Sequence, residues 1–201
     1  MIAIVDYGVG NLRSVQKAFE AVGSNVCVTD DPVKIAAAQK IVLPGVGAMG
    51  PAMDKLKVLK LIPILKNAVL KNKPFLGICV GFQLLFEQSD EGGNVEGLGF
   101  LKGNVKRFNS LKVPHMGWNQ IQVNQKNALL FKGIENLSNV YFCHSYYAAP
   151  ADETINSTLT DYGVTFTSSI QRGALFGVQF HPEKSQQIGL TILKNFEDLK
   201  T

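Results

Sequence analysis

Gly77-Ile78-Cys79-Val80-Gly81 leaves the backbone of this 201-residue chain fewer choices than any other segment. It stands at the end of the apolar run Pro74-Phe75-Leu76-Gly77-Ile78 and just ahead of Phe82-Gln83-Leu84-Leu85-Phe86, whose pattern predicts a helix. A cysteine between two glycines at a strand-to-helix junction sits on a sharp turn with its sulfur above the sheet. The glycines allow unusual backbone angles and close approach by neighbouring groups. The positive end of the next helix faces the sulfur and favours the thiolate, the attacking form. About a hundred residues later, Gly177-Val178-Gln179-Phe180-His181-Pro182-Glu183 closes another apolar strand with a histidine and a carboxylate. Nucleophile, base and orienting acid are then all present, the outline of a Cys79–His181–Glu183 triad. A lone cysteine at a strand end is ordinarily core, but a packed cysteine needs no elbow.

Composition fits one domain over residues 1–201 with a substantial core: apolar residues make up 46% and charged residues 18%. The net charge is +4, with the basic residues spread along the chain and no run resembling a nucleic-acid arm. The densest stretch, Lys55 to Lys73, intersperses lysines with leucines and reads as the wet face of helices. No apolar stretch reaches membrane-spanning length. The chain opens on strand-like residues without a basic leader, and its three cysteines follow no metal-ligand spacing. A cytoplasmic location is therefore expected.

The apolar runs alternate early with helical patterns. Strands are predicted over 2–7, 25–29, 41–43 and 75–78, with helices over 11–22, 31–38 and 59–71 between them. This rhythm argues for an α/β fold with a mostly parallel central sheet flanked by helices. After Gly92 the segments 103–108, 119–123, 140–147 and 159–170 look like strands without long helices between them and predict an added antiparallel portion. A buried strand over 175–180 and an amphipathic helix over 186–199 close the chain. Active sites of open α/β sheets collect at the carboxyl ends of strands, where both Cys79 and His181 fall.

Pro44-Gly45-Val46-Gly47 follows the third predicted strand. It reads as an ordinary turn or as a loop whose backbone N–H groups approach a negative oxygen. Taken with the elbow and with Phe180-His181-Pro182-Glu183, in this order and spacing, it resembles the class I (triad-type) glutamine amidotransferases. Three more blocks narrow the likeness: Asp6-Tyr7-Gly8-Val9-Gly10-Asn11-Leu12, Pro114-His115-Met116-Gly117-Trp118-Asn119 and Tyr141-Phe142-Cys143-His144-Ser145-Tyr146-Tyr147. They resemble glutaminase subunits of imidazole glycerol phosphate synthase, over nearly the whole chain. Val80 and Phe82 stand where the family more often has leucine and methionine, and Cys143 where valine is commoner.

The resemblance implies a role at each position. Cys79 would form a glutamyl thioester, His181 would protonate the departing ammonia and activate water, and Glu183 would hold the ring. The N–H groups of Val46 and Val80 would form the oxyanion hole. Gly47 and Gln83 would line the glutamine pocket, and His144, Ser145 and Tyr146 would bind the amino-acid end. Ammonia would pass to a separate cyclase subunit, a (β/α)8 barrel in a one-to-one heterodimer of histidine biosynthesis. Asn11, Arg13, Trp118 and Lys184 flank the predicted strand ends and would face that partner. Trp118 reads equally as core packing. Cys143, alternating away from His144 on a strand, reads as a buried packing residue.

No cofactor is expected: the three histidines are too separated for a metal site, and no glycine-rich phosphate cradle precedes a lysine-bearing helix. Three rivals remain open at this point. They are a glutaminase subunit serving anthranilate or aminodeoxychorismate synthase, a peptidase-like cysteine hydrolase, and a scaffold that keeps the elbow as a relic.

Overall fold

The computed structural model of the protein describes residues 1–200 except Ser110, Gln125 and Asn127. The first half is a run of strands and helices: β1 (Ile2–Val5), α1 (Leu12–Ala21), β2 (Val26–Thr29), α2 (Pro32–Ala37), β3 (Lys40–Gly45), α3 (Met49–Val58), α4 (Ile62–Leu70) and β4 (Phe75–Cys79). A single helical turn, α5 (Val80–Gln83), then leads into β5 (Phe86–Ser89), β6 (Val95–Glu96) and β7 (Leu101–Arg107). The second half contributes β8 (His115–Val123), β9 (Ser138–His144), β10 (Tyr146–Pro150), β11 (Asn156–Asp161), β12 (Thr165–Arg172), β13 (Leu175–Val178) and α6 (Gln186–Glu197).

The strands join in the order β2-β1-β3-β4-β13-β12-β10-β7-β5-β6, with β11, β8 and β9 paired off that path. From β2 to β13 every neighbouring pair is parallel. Beyond β13 the pairings with β12, β10 and β7 are antiparallel. This is the α/β architecture expected, with the antiparallel portion supplied by the second half. The parallel strands β1, β3, β4 and β13 are buried along their length, as strands covered on both faces must be.

Local chemistry sets the element ends. Asn11 caps α1 by accepting from the Ser14 N–H, and Asp31 caps α2 by accepting from Val33 at 2.8 Å. Along β13, Phe176 packs on Phe196 of α6 while the next residue, Gly177, faces Phe82 of α5. The two-residue period of a strand therefore puts α5 and α6 on opposite faces of the sheet.

Five segments differ from the sequence expectation. The helix predicted over 59–71 starts at Ile62, because Lys60 takes a left-handed backbone (φ 55°) that ends the preceding helix. That preceding helix, α3, was hidden by Gly50-Pro51; proline is tolerated in a first turn, whose N–H groups have no helical partner anyway. The helix expected through Phe86 stops at Gln83, and Phe86 begins a strand. The run 140–147 is two strands meeting at Ser145, and 159–170 belongs to two strands turning at Tyr162–Val164, where Gly163 has a φ of 68°.

Candidate active site

The elbow at Cys79 is built by close packing. Cys79 has φ 55° and ψ −112°, a left-handed conformation that costs a non-glycine residue roughly 1–3 kcal/mol. The strained angles therefore belong to the cysteine. Its flanking glycines serve close approach: a Cβ on Gly81 would lie 1.7 Å from the Leu43 carbonyl oxygen, and one on Gly77 2.7 Å from the Gly81 oxygen. Gly77 is paired in register with Gly177 on β13, and a Cβ on Gly177 would meet the Phe82 ring at 2.1 Å. Two adjacent glycines thus make a flat floor on which the α5 turn rests. With α5 only one turn long, the dipole expected behind the sulfur shrinks to the N–H groups of that turn.

Beside the elbow, Gly45 at the end of β3 pairs with Cys79 itself. This register brings Pro44-Gly45-Val46-Gly47 against the strand that ends in Cys79. The buried Tyr7 hydroxyl donates to the Pro44 carbonyl at 2.7 Å and pins the root of that loop. Burial, followed by the charge of Cys79, pushes the Tyr7 phenol well above its usual range, so the hydroxyl stays a donor.

His181 follows β13 and enters a short 3-10 turn over Pro182–Lys184. Its N–H donates to the Tyr141 carbonyl at 2.9 Å, and its carbonyl accepts from Ser185 Oγ at 2.7 Å. Ser185 Oγ in turn accepts from the Tyr141 N–H at 3.0 Å, locking the turn onto β9. The His181 Nδ1 lies 2.8 Å from Glu183 Oε1, both side chains almost wholly buried. Glu183 Oε2 has no partner among the described residues, so that carboxylate is committed to the imidazole. Burial lowers the His181 pKa, but a hydrogen bond to Cys79 and one to Glu183 outweigh it and push it up to about 10. The ring is then an imidazolium at neutral pH, with Nδ1–H on Glu183 and Nε2–H toward the sulfur. Gln179 Nε2 lies 3.9 Å from Cys79 Sγ as a further donor.

These groups open into a cavity of about 400 Å³, a size suited to a small ligand. Val46, Gly47, Cys79, Val80, Gln83, Cys143, His144, Ser145, Tyr146, His181 and Lys184 all line it. All the residues expected at the chemistry and in the substrate pocket therefore meet, except Glu183, which stands behind His181. His144 has both ring nitrogens occupied within the protein, by Tyr146 O at 2.7 Å and His115 Nδ1 at 2.9 Å, which leaves its backbone for a ligand. One detail departs from expectation. Cys143 is half-buried and faces the cavity, because the buried face of β9 is the one carrying Val140, Phe142 and His144. Trp118 is 49% exposed and packs edge-on to Tyr141, so it is not core.

Lys184, part of the cavity lining, lies over the Tyr141 ring, 5.6 Å from its centre, and Trp118 packs on the same ring. Asn11 and Arg13 are exposed at the start of α1, where Arg13 borders a hollow along that helix and lines no part of the cavity. The sequence reading missed Glu91 and Pro114, both in the cavity wall. Glu91 Oε2 accepts from the Met49 N–H at 2.7 Å, and an acid ahead of Gly92-Gly93 was the only signal available. Among the described residues no group of three or more His, Cys, Asp or Glu is arranged to hold a metal ion, and no helix is long and apolar enough to cross a membrane.

The chain is 51% identical to imidazole glycerol phosphate synthase subunit HisH of Syntrophotalea carbinolica, over 99% of this chain and 100% of that one. It is 53% identical to the subunit of the same name from Moorella thermoacetica, over 98% and 94% of the two chains. Among solved structures, a glutamine amidotransferase crystal structure superimposes with a TM-score of 0.75 at 15% identity, covering 94% of this chain and 95% of that one. PurLQS from Thermotoga maritima gives a TM-score of 0.73 at 22% identity, covering 97% and 94%, and like the first it speaks to the fold alone. Residues 3–198 match the family described as glutamine amidotransferase class-I, which takes in every element that builds the cavity. With elbow, loop and His-Glu pair in place along that match, the chain belongs to the class-I glutamine amidotransferases.

Proposed function

We propose that this chain is the glutaminase subunit of an imidazole glycerol phosphate synthase of histidine biosynthesis, folded as a single domain and working in the cytoplasm. The observation that carries the chemistry is the convergence of Cys79, on its strained elbow, with His181 in one cavity, Glu183 holding the ring from behind. The subunit assignment rests on full-length identity near 50% to proteins of that name.

Cys79 Sγ attacks the side-chain carbonyl of glutamine, and the negative oxygen is received by the N–H groups of Val46 and Val80. His181 gives its Nε2 proton to the departing ammonia, which leaves a glutamyl thioester and a neutral ring. That ring then takes a proton from water, whose oxygen displaces the sulfur and releases glutamate. Glu183 holds the ring and balances its charge in each charged stage. Gly47 and Gln83 border the side-chain amide, while the backbone around His144, Ser145 and Tyr146 meets the amino-acid end. The Glu91 carboxylate and the Lys184 ammonium give the cavity opposite charges suited to the two ends of an amino acid.

Ammonia passes to a (β/α)8-barrel cyclase subunit in a one-to-one heterodimer, which makes imidazole glycerol phosphate and an aminoimidazole carboxamide ribonucleotide. Glutamate release should rise sharply when that subunit and its ribonucleotide substrate are present. It should fall by at least about a thousandfold in Cys79→Ala, as expected for loss of a nucleophile. Strong release without any partner would undercut the gated synthase; no release under any condition would defeat the glutaminase.

A further inference from the structure

His115 follows the cavity-lining Pro114 but is itself outside the cavity wall. Its ring is stacked between Tyr162, with centres 4.0 Å apart, and Phe142, at 4.8 Å, each inclined by 24°. Its polar edges are both engaged. Nδ1 lies 2.9 Å from His144 Nε2, and Nε2 lies 3.2 Å from Asn119 Nδ2. His144 Nδ1 lies 2.7 Å from the Tyr146 carbonyl oxygen.

The protons on this line follow from its two ends. A carbonyl oxygen only accepts, so His144 Nδ1 carries hydrogen. At the far end, Asn119 is oriented by its own neighbours: Oδ1 accepts from the Gln120 N–H at 2.8 Å, and Nδ2 donates to the Asp161 carbonyl at 2.8 Å. The second Nδ2 hydrogen therefore meets His115 Nε2, which must be bare. The His115 proton is then on Nδ1 and is donated to His144 Nε2, bare in its turn. Every contact has one donor and one acceptor only if both rings are neutral Nδ1–H tautomers. A second proton on His115 Nε2 would set a donor against Asn119 Nδ2, and one on His144 Nε2 a donor against His115 Nδ1. Burial lowers the pKa of both rings, to about 4 for His115 and about 3 for His144, in accord with neutral imidazoles.

The line continues toward the nucleophile. The Tyr146 carbonyl accepts a second bond, from Gln83 Nε2 at 2.9 Å, and the other Gln83 amide hydrogen goes to Gln179 Oε1 at 3.0 Å. Gln83 has then spent both of its donors inside the protein. Only its Oε1 is left to offer the cavity, and it can accept only from a ligand N–H.

Building on the glutaminase reading, we propose that His115 is a positioning residue for the glutamine substrate. In its Nδ1–H tautomer it fixes His144, His144 fixes the Tyr146 carbonyl, and that carbonyl holds the Gln83 amide with its oxygen turned to the N–H groups of glutamine.

Two measurements test this. Nitrogen-15 spectra of the wild-type protein at neutral pH, with His115→Phe and His144→Phe used for assignment, should show hydrogen on Nδ1 and a bare Nε2 in both rings. A bare Nδ1 or a doubly protonated ring at either position overturns the proposal, whatever the activity and whether or not the variants fold. In the complete synthase, His115→Phe keeps the aromatic stack and removes the line. Its KM for glutamine should rise about tenfold, the scale of one buried hydrogen bond, with kcat held within about threefold. His115→Gln, which carries both a donor and an acceptor, should regain most of that loss. An unchanged KM in His115→Phe, or no recovery in His115→Gln, overturns the positioning role. A wild-type synthase that releases no glutamate would remove the glutaminase reading and this proposal with it, whereas failure of the tautomers alone leaves that reading intact.

Discussion

Cys79 is held at φ 55° although a side chain disfavours that region, and the strain aims its sulfur into the cavity. A glycine there relaxes where an alanine does not. Cys79→Gly should therefore be more stable to urea than Cys79→Ala by about 1 kcal/mol, although both lack the thiol. Glu183 acts on the other partner. The raised pKa of His181 contributes stability below the free histidine value of 6.5, and this is lost as pH rises through about 10. Glu183→Gln keeps the shape but removes the charge. It should pull the His181 titration, followed by NMR, to lower pH and cut glutamate release by roughly a hundredfold or more.

The elbow works because three elements meet on a surface without side chains. β4 and β13 present Gly77 and Gly177 side by side, and α5 sets its backbone and the buried Phe82 ring on them. Phe82 also packs edge-on to Phe86, 5.4 Å between centres, tying the turn to the strand that follows. Gly177→Ala would push a methyl into the Phe82 ring and should lower the unfolding free energy by about 1–3 kcal/mol, with Cys79 displaced and activity lost along with stability. Gly8, with a φ of 76° and open space around its Cα, makes the contrast: Gly8→Ala meets backbone strain but no clash and should leave the elbow intact. Denaturation midpoints and Cys79 alkylation rates of the two variants would separate these outcomes.

Across the molecule, the carboxyl ends of the parallel strands collect the chemistry on one side, and the hairpin of β8 and β9 stands beside it. That hairpin exposes Met116 and Trp118 next to Tyr141 and Lys184. A half-exposed tryptophan packed on the same tyrosine as the cavity-lining Lys184 suits a protein partner. Trp118→Ala should weaken binding of the cyclase subunit by about tenfold or more in calorimetry, and Lys184→Ala, an exposed charge, by less. The same region makes the protein acid-sensitive. His115 and His144 have folded-state pKa values near 4 and near 3, so the unfolded chain binds protons that the folded one refuses. Stability should fall as pH drops from 6.5 toward 4, and His115→Phe should flatten that slope in urea titrations.

What could be read along the chain was what local chemistry encodes. Apolar period, glycine placement and caps gave the parallel strands, the elbow and most helices, because each is specified within a few residues. The residues of the proposed triad were legible for the same reason: Cys79 announces itself by its flanking glycines, and Glu183 by standing two residues from His181. Element ends were less legible where one signal masked another, as Gly50-Pro51 hid α3 and a continuous apolar run hid the stop at Gln83. The rest depended on contacts between residues far apart in sequence. Glu91 reaches the cavity wall, Tyr7 pins Pro44 across 37 positions, and His115 meets His144 through the β8–β9 register. Which face of β9 is buried, and so whether Cys143 or His144 is packed inward, follows from what packs behind the strand. The alternation of side chains is local, but the choice of the inward face belongs to the sheet and its neighbours.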